Sequence, residues 1–166
     1  MNTDGLRTGD VGRMDNEGYF YLTDRMKDII ITAGGKNITP SEIENQLKFS
    51  PYITDAVVIG DRRPFLAALV MIDHENVEKF AQDNSIPFSN YQSLCRRPEI
   101  QELIDGEIAR VNAKFARVEQ VRKFRLIEQK LTAEDEELTP TMKLKRKLVN
   151  EKYRDLIDQM YAREAA

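Results

Sequence analysis

The chain has 166 residues, 41% of them hydrophobic and 32% charged, which suits one core wrapped in exposed helix. Its net charge of -3 excludes a global basic field drawing the whole chain to nucleic acid or membrane. Cys95 is the single cysteine, so an intramolecular disulfide is excluded and a reducing, cytoplasmic setting is expected. No apolar run approaches the roughly 18 residues of a membrane span, and the N-terminus has no basic-then-apolar leader pattern.

The opening, Met1 to Asp10, is polar and turn-rich and reads as a cut into a longer chain. Val11 to Asp24 predicts a hairpin: two short runs, Val11-Gly12-Arg13-Met14 and Tyr19-Phe20-Tyr21-Leu22, flank the turn-rich Asp15-Asn16-Glu17-Gly18. Two strands alone are marginal in water, so this hairpin needs something to pack on. Asp28 to Ile31 is β-rich and ends at Gly34-Gly35, where positive φ or a close backbone approach is allowed. Thr39-Pro40-Ser41-Glu42 predicts a helix start with a Thr39/Glu42 capping box and Pro40 in its first turn.

Ile53–Ile59 and Phe65–Ile72 predict two antiparallel strands buried on nearly both faces. Asn76 to Asp83 predicts a short helix with Val77, Phe80 and Ala81 inward, and Pro87 to Pro98 reads as irregular. Ile100, Leu103, Ile104, Ile108, Val111 and Phe115 mark one stripe of a long helix. Val121 to Ile127 predicts a third core strand. The acidic block Glu134 to Glu137 and the loop Leu138-Thr139-Pro140-Thr141-Met142-Lys143 follow, then one amphipathic helix carrying Val149, Tyr153, Leu156, Ile157 and Met160. The fold expectation is α+β: a small three-stranded sheet covered by helices, with an N-terminal hairpin and a two-stranded hairpin at the glycine loop. The domain expectation is a tail, residues 1–24, followed by a small mobile domain, residues 25–166.

Metal and nucleophile chemistry find little footing. His74 is the one histidine, expected half-exposed at a strand end, and no Cys/His cluster exists, so no metal site is expected. Cys95 reads as a loop or partly buried thiol. Gly34-Gly35-Lys36 fails as a phosphate loop, because Ile30 and Asn37 stand where that motif needs Gly and Ser/Thr; a tight turn is the plainer reading. Residues 141–154 carry six basic side chains and one acid without aromatic interleaving, which reads as a solvated helix face rather than a nucleic-acid patch. Lys143 stands apart at the end of the Thr-Pro-Thr loop, where a mobile ammonium could reach a phosphate.

Four ordered motifs then assemble: Arg7-Thr8-Gly9-Asp10, Asp24-Arg25-Met26-Lys27-Asp28, Gly34-Gly35-Lys36-Asn37-Ile38-Thr39-Pro40-Ser41-Glu42-Ile43-Glu44, and Leu138-Thr139-Pro140-Thr141-Met142-Lys143. Together they resemble the C-terminal part of adenylate-forming (AMP-binding) acyl-CoA synthetases. The long insertion between Asn76 and Val121 and the Thr-Met-Lys ending look most like bacterial long-chain fatty acid–CoA ligases. The resemblance implies a two-step reaction, in which fatty acid and ATP give an acyl-adenylate and pyrophosphate, and coenzyme A then displaces AMP. It implies Lys143 as the adenylation lysine, Asp10 and Arg25 at the ribose of ATP or AMP, Gly35 beside the pantetheine channel of CoA, and Lys27 as the hinge that presents Lys143 and Gly35 in turn. It further implies Mg2+ accompanying ATP with ligands in an N-terminal adenylation domain upstream, that domain as the chain's partner, and no activity for this piece alone. No nucleic-acid partner is expected, and peripheral membrane association of the full-length enzyme stays open. A non-catalytic binding or regulatory module, or a lid serving another carboxylate, are the competing readings.

Overall fold

The computed structural model describes residues 29–132, 134–141 and 143–162 in full, and residues 10–14 and 20–25 as backbone. Strands β1 (Asp10–Met14) and β2 (Phe20–Arg25) form the antiparallel hairpin that the turn residues predict, with a bulge after Val11. Strands β3 (Ile30–Ile31) and β4 (Asn37–Ile38) pair antiparallel around the glycine turn. Helix α1 (Pro40–Leu47) starts where Thr39 and Pro40 place it. The capping box does not form: the Thr39 side chain makes no cap bond, and it is the Thr39 carbonyl that accepts from the Glu42 N–H, at 3.3 Å.

The core sheet runs in the order β5 (Ile53–Ile59), β6 (Leu66–Ile72), β7 (Val121–Leu126), with β5–β6 antiparallel and β6–β7 parallel. The central strand β6 is buried along its whole length, which explains its unbroken apolar run. Its alternate residues feed two cores. Leu66, Ala68, Val70 and Ile72 face α1, α2 (His74–Asp83), α3 (Tyr91–Arg96) and α4 (Pro98–Asn112). Ala67, Leu69 and Met71 face α5 (Arg146–Lys152) and α6 (Arg154–Ala162) through Val149, Ile157, Met160 and Tyr161. The sheet is therefore covered by helices on both faces.

Three further expectations give way. The stretch 87–98 contains α3, because Asn90 and Ser93 form a reciprocal capping box that starts a helix in a polar segment. Helix α2 begins at His74 rather than Asn76, since the Asp73 side chain accepts from the Asn76 N–H at 3.0 Å and caps it. The terminal amphipathic helix is two helices, α5 and α6, broken at Tyr153. The stripe on α4 holds at Ile100, Ile104, Ile108 and Val111, which are buried, and Phe115 lies beyond its end and packs on the same core, but Leu103 is only half-buried and stays outside that core.

Candidate functional site

The glycine turn is built by its own backbone. The Gly35 N–H donates to the Thr32 carbonyl at 2.8 Å, and the Thr32 N–H donates to the Lys36 carbonyl at 3.0 Å. Gly35 has φ +85°, a conformation that L side chains rarely adopt, and a Cβ built on it meets nothing within 4 Å. Glycine is thus demanded by the backbone angle and not by packing. The turn is docked on the β5–β6 connection: Arg62 N–H donates to the Ile31 carbonyl and Ala33 N–H to the Arg63 carbonyl, at 2.8 and 3.0 Å. Beside it lies a cleft of about 320 Å3 bordered by Gly34 and by Lys36, Arg117 and Arg122, with no carboxylate in its lining.

Lys143 sits on a second turn. Leu138 and Leu144 form an antiparallel bridge and are both buried, which closes the loop at its base. Within it the Thr139 N–H donates to the Lys143 carbonyl at 2.8 Å, and the Lys143 N–H donates to the Thr139 hydroxyl at 3.0 Å. The Lys143 side chain is exposed. The next residue is pinned to the sheet, since the Leu144 N–H donates to Asp55 Oδ2 at 2.6 Å. Two residues on, Arg146 donates to the Val58 carbonyl at 2.9 Å and pairs with Glu44.

The two turns attach at opposite ends of β5. The Lys143 turn is anchored at Asp55 and the glycine turn beyond Gly60, about 17 Å away at ~3.3 Å of strand per residue. The structure does not bring Lys143 and Gly35 together. It does bring Asp10 and Arg25 together as cross-strand partners in the β1–β2 register. Lys27 lies outside the described residues.

The remaining candidates have structural roles. His74 is the first residue of α2, pairs with Glu78 at 3.0 Å and sets its ring edge-on to Tyr91. Cys95 is fully buried in α3 rather than in a loop, and burial pushes its thiol up to about 12, so it is no nucleophile. Among the described residues no group of three or more His, Cys, Asp or Glu could hold a metal ion. No described helix is long and apolar enough to cross a membrane. The basic helix face is partly internal: Arg146 is bound to Glu44 and Lys152 to Glu137. A groove of about 380 Å3 between Ile29–Ile30, the end of β5 and α5–α6 holds neither Lys143 nor Gly35.

Sequence reasoning missed Asp55 and the Glu44–Arg146 pair. Asp55 carried a signal, being the one acid inside the apolar run Ile53–Ile59, where an ionised side chain needs a specific partner.

Residues 27–165 match the family of AMP-binding enzyme C-terminal domains. The long-chain-fatty-acid–CoA ligase FadD15 of Mycobacterium tuberculosis is 42% identical over 164 residues, covering 98% of this chain and 27% of that protein. The human long-chain-fatty-acid–CoA ligase ACSBG1 is 35% identical over 94% of this chain and 24% of its own length. The crystal structure of the adenylation domain of a carboxylate reductase from Mycobacterium chelonae superposes with a TM-score of 0.71 at 25% identity, covering 93% of this chain and 23% of that one. The chain thus spans about a quarter of the length of the curated relatives it matches.

Proposed function

The chain belongs to the family of C-terminal domains of AMP-binding enzymes, and from that premise we propose that it acts as the mobile lid of a ligase joining a long-chain fatty acid to coenzyme A. The observation that carries this reading is the pair of turns at the two ends of β5: an exposed lysine on an anchored turn at one, a positive-φ glycine on a tight turn at the other.

In the first half-reaction a fatty-acid carboxylate oxygen attacks the α-phosphate of ATP. The new O–P bond forms as the bond to pyrophosphate breaks, and charge grows on the oxygens around that phosphorus. Lys143 stabilises this charge with its exposed ammonium, carried on a turn whose backbone is fixed by hydrogen bonds to Thr139. Asp10 and Arg25 hold the ribose hydroxyls, which their cross-strand register supports. In the second half-reaction the thiol of coenzyme A attacks the acyl carbonyl, loses its proton and expels AMP. Gly35 then lines the pantetheine path, where the open space around its missing Cβ suits a passing chain. The basic cleft of Lys36, Arg117 and Arg122 suits the phosphates of coenzyme A.

Because the two turns are separated along β5, one orientation of the lid cannot present both. Rotation about Lys27 would serve each half-reaction in turn. The partner is an N-terminal adenylation domain, the setting is cytoplasmic or membrane-peripheral, and any Mg2+ arrives with ATP on ligands outside this chain. A lid for another carboxylate shares these features, so the acid itself is identified by assay.

The test is a chimera joining this chain to the N-terminal part of its 42%-identical mycobacterial relative. Lys143→Ala should lower the rate of acyl-adenylate formation from ATP and palmitate, followed by pyrophosphate release, by about 100- to 1,000-fold, leaving a measurable residue, while thioester formation from preformed acyl-adenylate persists. Retention of adenylation near the parent rate by Lys143→Ala would refute the proposal.

A further inference from the structure

The Asp55 carboxylate is buried, yet it divides its oxygens between two backbone N–H groups from different parts of the chain. Oδ1 accepts from Ala56, its neighbour in β5, at 2.9 Å. Oδ2 accepts at 2.6 Å from Leu144, 89 residues further on and directly after Lys143. Lys48 Nζ stands 3.8 Å from Oδ1 as the nearby counter-charge. Packing alone gives no reason for an acid here: the rest of β5 from Ala56 to Ile59 is apolar and buried, and a buried carboxylate is costly unless bonded. What the acid adds is a strong, charge-assisted acceptor for one amide of the Lys143 turn.

Among the described residues, the side chains bonded to the backbone of this turn are Thr139 and Asp55, and Arg146 ties the chain to β5 and Glu44 two residues further on. Thr139 holds Lys143 from within, and the Leu138–Leu144 bridge closes the base, but neither fixes the turn against the sheet at a defined height. Asp55 does. Building on the reading of Lys143 as the adenylation lysine, we infer that Asp55 is a positioning residue: it holds Leu144 on the edge of β5 so that the Lys143 ammonium is delivered to the α-phosphate. It does not touch substrate.

Four versions of the chimera decide this: the parent sequence, Lys143→Ala, Asp55→Ala and the double variant, with Asp55→Asn alongside as a form that keeps the side-chain volume. Two rates are read on each, acyl-adenylate formation from ATP and palmitate, and thioester formation from preformed acyl-adenylate and coenzyme A. Asp55→Ala should lower kcat for adenylation by about 10- to 100-fold, the scale of a roughly 1 Å misplacement. The KM for ATP and the thioester rate should stay near those of the parent chimera. In the Lys143→Ala background the same substitution should add no further loss. Asp55→Asn should follow Asp55→Ala, since its amide turns a donor toward one of the two N–H groups, and it decides the matter if the alanine form does not fold. Equal loss in both half-reactions, additive loss on top of Lys143→Ala, or no loss at all would each overturn the inference. If Lys143→Ala itself leaves adenylation intact, it is the functional reading that falls, and the two failures are told apart by that control.

Discussion

Arg146 and Glu44, 102 residues apart, meet with both Glu44 oxygens 2.7 Å from one guanidinium nitrogen, and between them they cover the open edge of β5 at Val58. Glu44 Oε2 accepts from the Val58 N–H at 2.7 Å and Arg146 donates to the Val58 carbonyl at 2.9 Å. An edge strand leaves such groups unpaired; here an ion pair satisfies them and ties α1, which follows the glycine turn, to α5, which follows the Lys143 turn.

Breaking the pair should therefore be costly. Burial pushes the Glu44 carboxyl above its ordinary range, with the Arg146 charge and the Val58 N–H opposing. Arg146→Met removes the largest opposing influence and leaves the burial. A loss of about 3 kcal/mol is expected in urea unfolding, the low end for a broken buried pair because Arg146 keeps 23% side-chain exposure. The Glu44 carboxyl should move further up by NMR titration. Adding Glu44→Leu should recover only part of the stability, because Val58 N–H and C=O stay without partners.

Gly35 offers a test that separates backbone demand from channel demand. Its φ of +85° predicts that Gly35→Ala costs about 1 kcal/mol, with Gly35→Asn milder because Asn tolerates left-handed backbone. With nothing within 4 Å of the missing Cβ, Gly35→Leu should destabilise no more than Gly35→Ala. In the chimera, however, Gly35→Leu should slow thioester formation far more than Gly35→Ala does while leaving adenylation near the parent rate. Equal effects of the two on the thioester step would leave the backbone angle as the whole reason for glycine.

Much of this fold was legible. The apolar runs Ile53–Ile59 and Phe65–Ile72 announced a strand pair buried on both faces, and the α4 stripe and the positive-φ glycine followed from local pattern. The misses have physical causes. Helix α3 rests on Asn90 and Ser93 bonding each other's backbone inside a polar, proline-flanked stretch, where hydrophobic periodicity is silent. Nothing local sets β7 parallel to β6, since a long connection allows either direction. The catalytic candidates were legible only through motif order, and their supports were not. Asp55 reaches Leu144, and Glu44 reaches Arg146, across separations that no window spans.

Two glycines predict opposite signs for the same substitution. A Cβ on Gly60 would lie 2.3 Å from Leu66 Cδ2, and Leu66 is fully buried between the sheet and its helices. Gly60→Ala should overpack this corner and cost about 1–3 kcal/mol. Gly106 is exposed in the middle of α4 with nothing near a built Cβ, so Gly106→Ala should stabilise by about 0.5–1 kcal/mol. Thermal melts of the two variants measure both.

Stability should also fall with acid through Glu137, beside the Lys143 turn. The Lys152 ammonium bonded to Glu137 holds its carboxyl below the ordinary value of 4.5, and Glu137 in turn holds Lys152 above its own. A carboxyl depressed in the folded chain contributes stability that is present above its unfolded pKa and is lost as pH falls through the lower, folded one. The native pair should therefore weaken progressively below about pH 4.5. Because the Glu137 carbonyl also accepts from the Lys145 N–H at 2.8 Å, loosening this residue loosens the base of the turn that carries Lys143. Urea unfolding of the parent chain and of Glu137→Gln across this range gives the check: the parent should be the more stable at neutral pH, and the gap should close as the acid form is reached. A gap that stays constant with pH would mean that the pair adds nothing beyond packing.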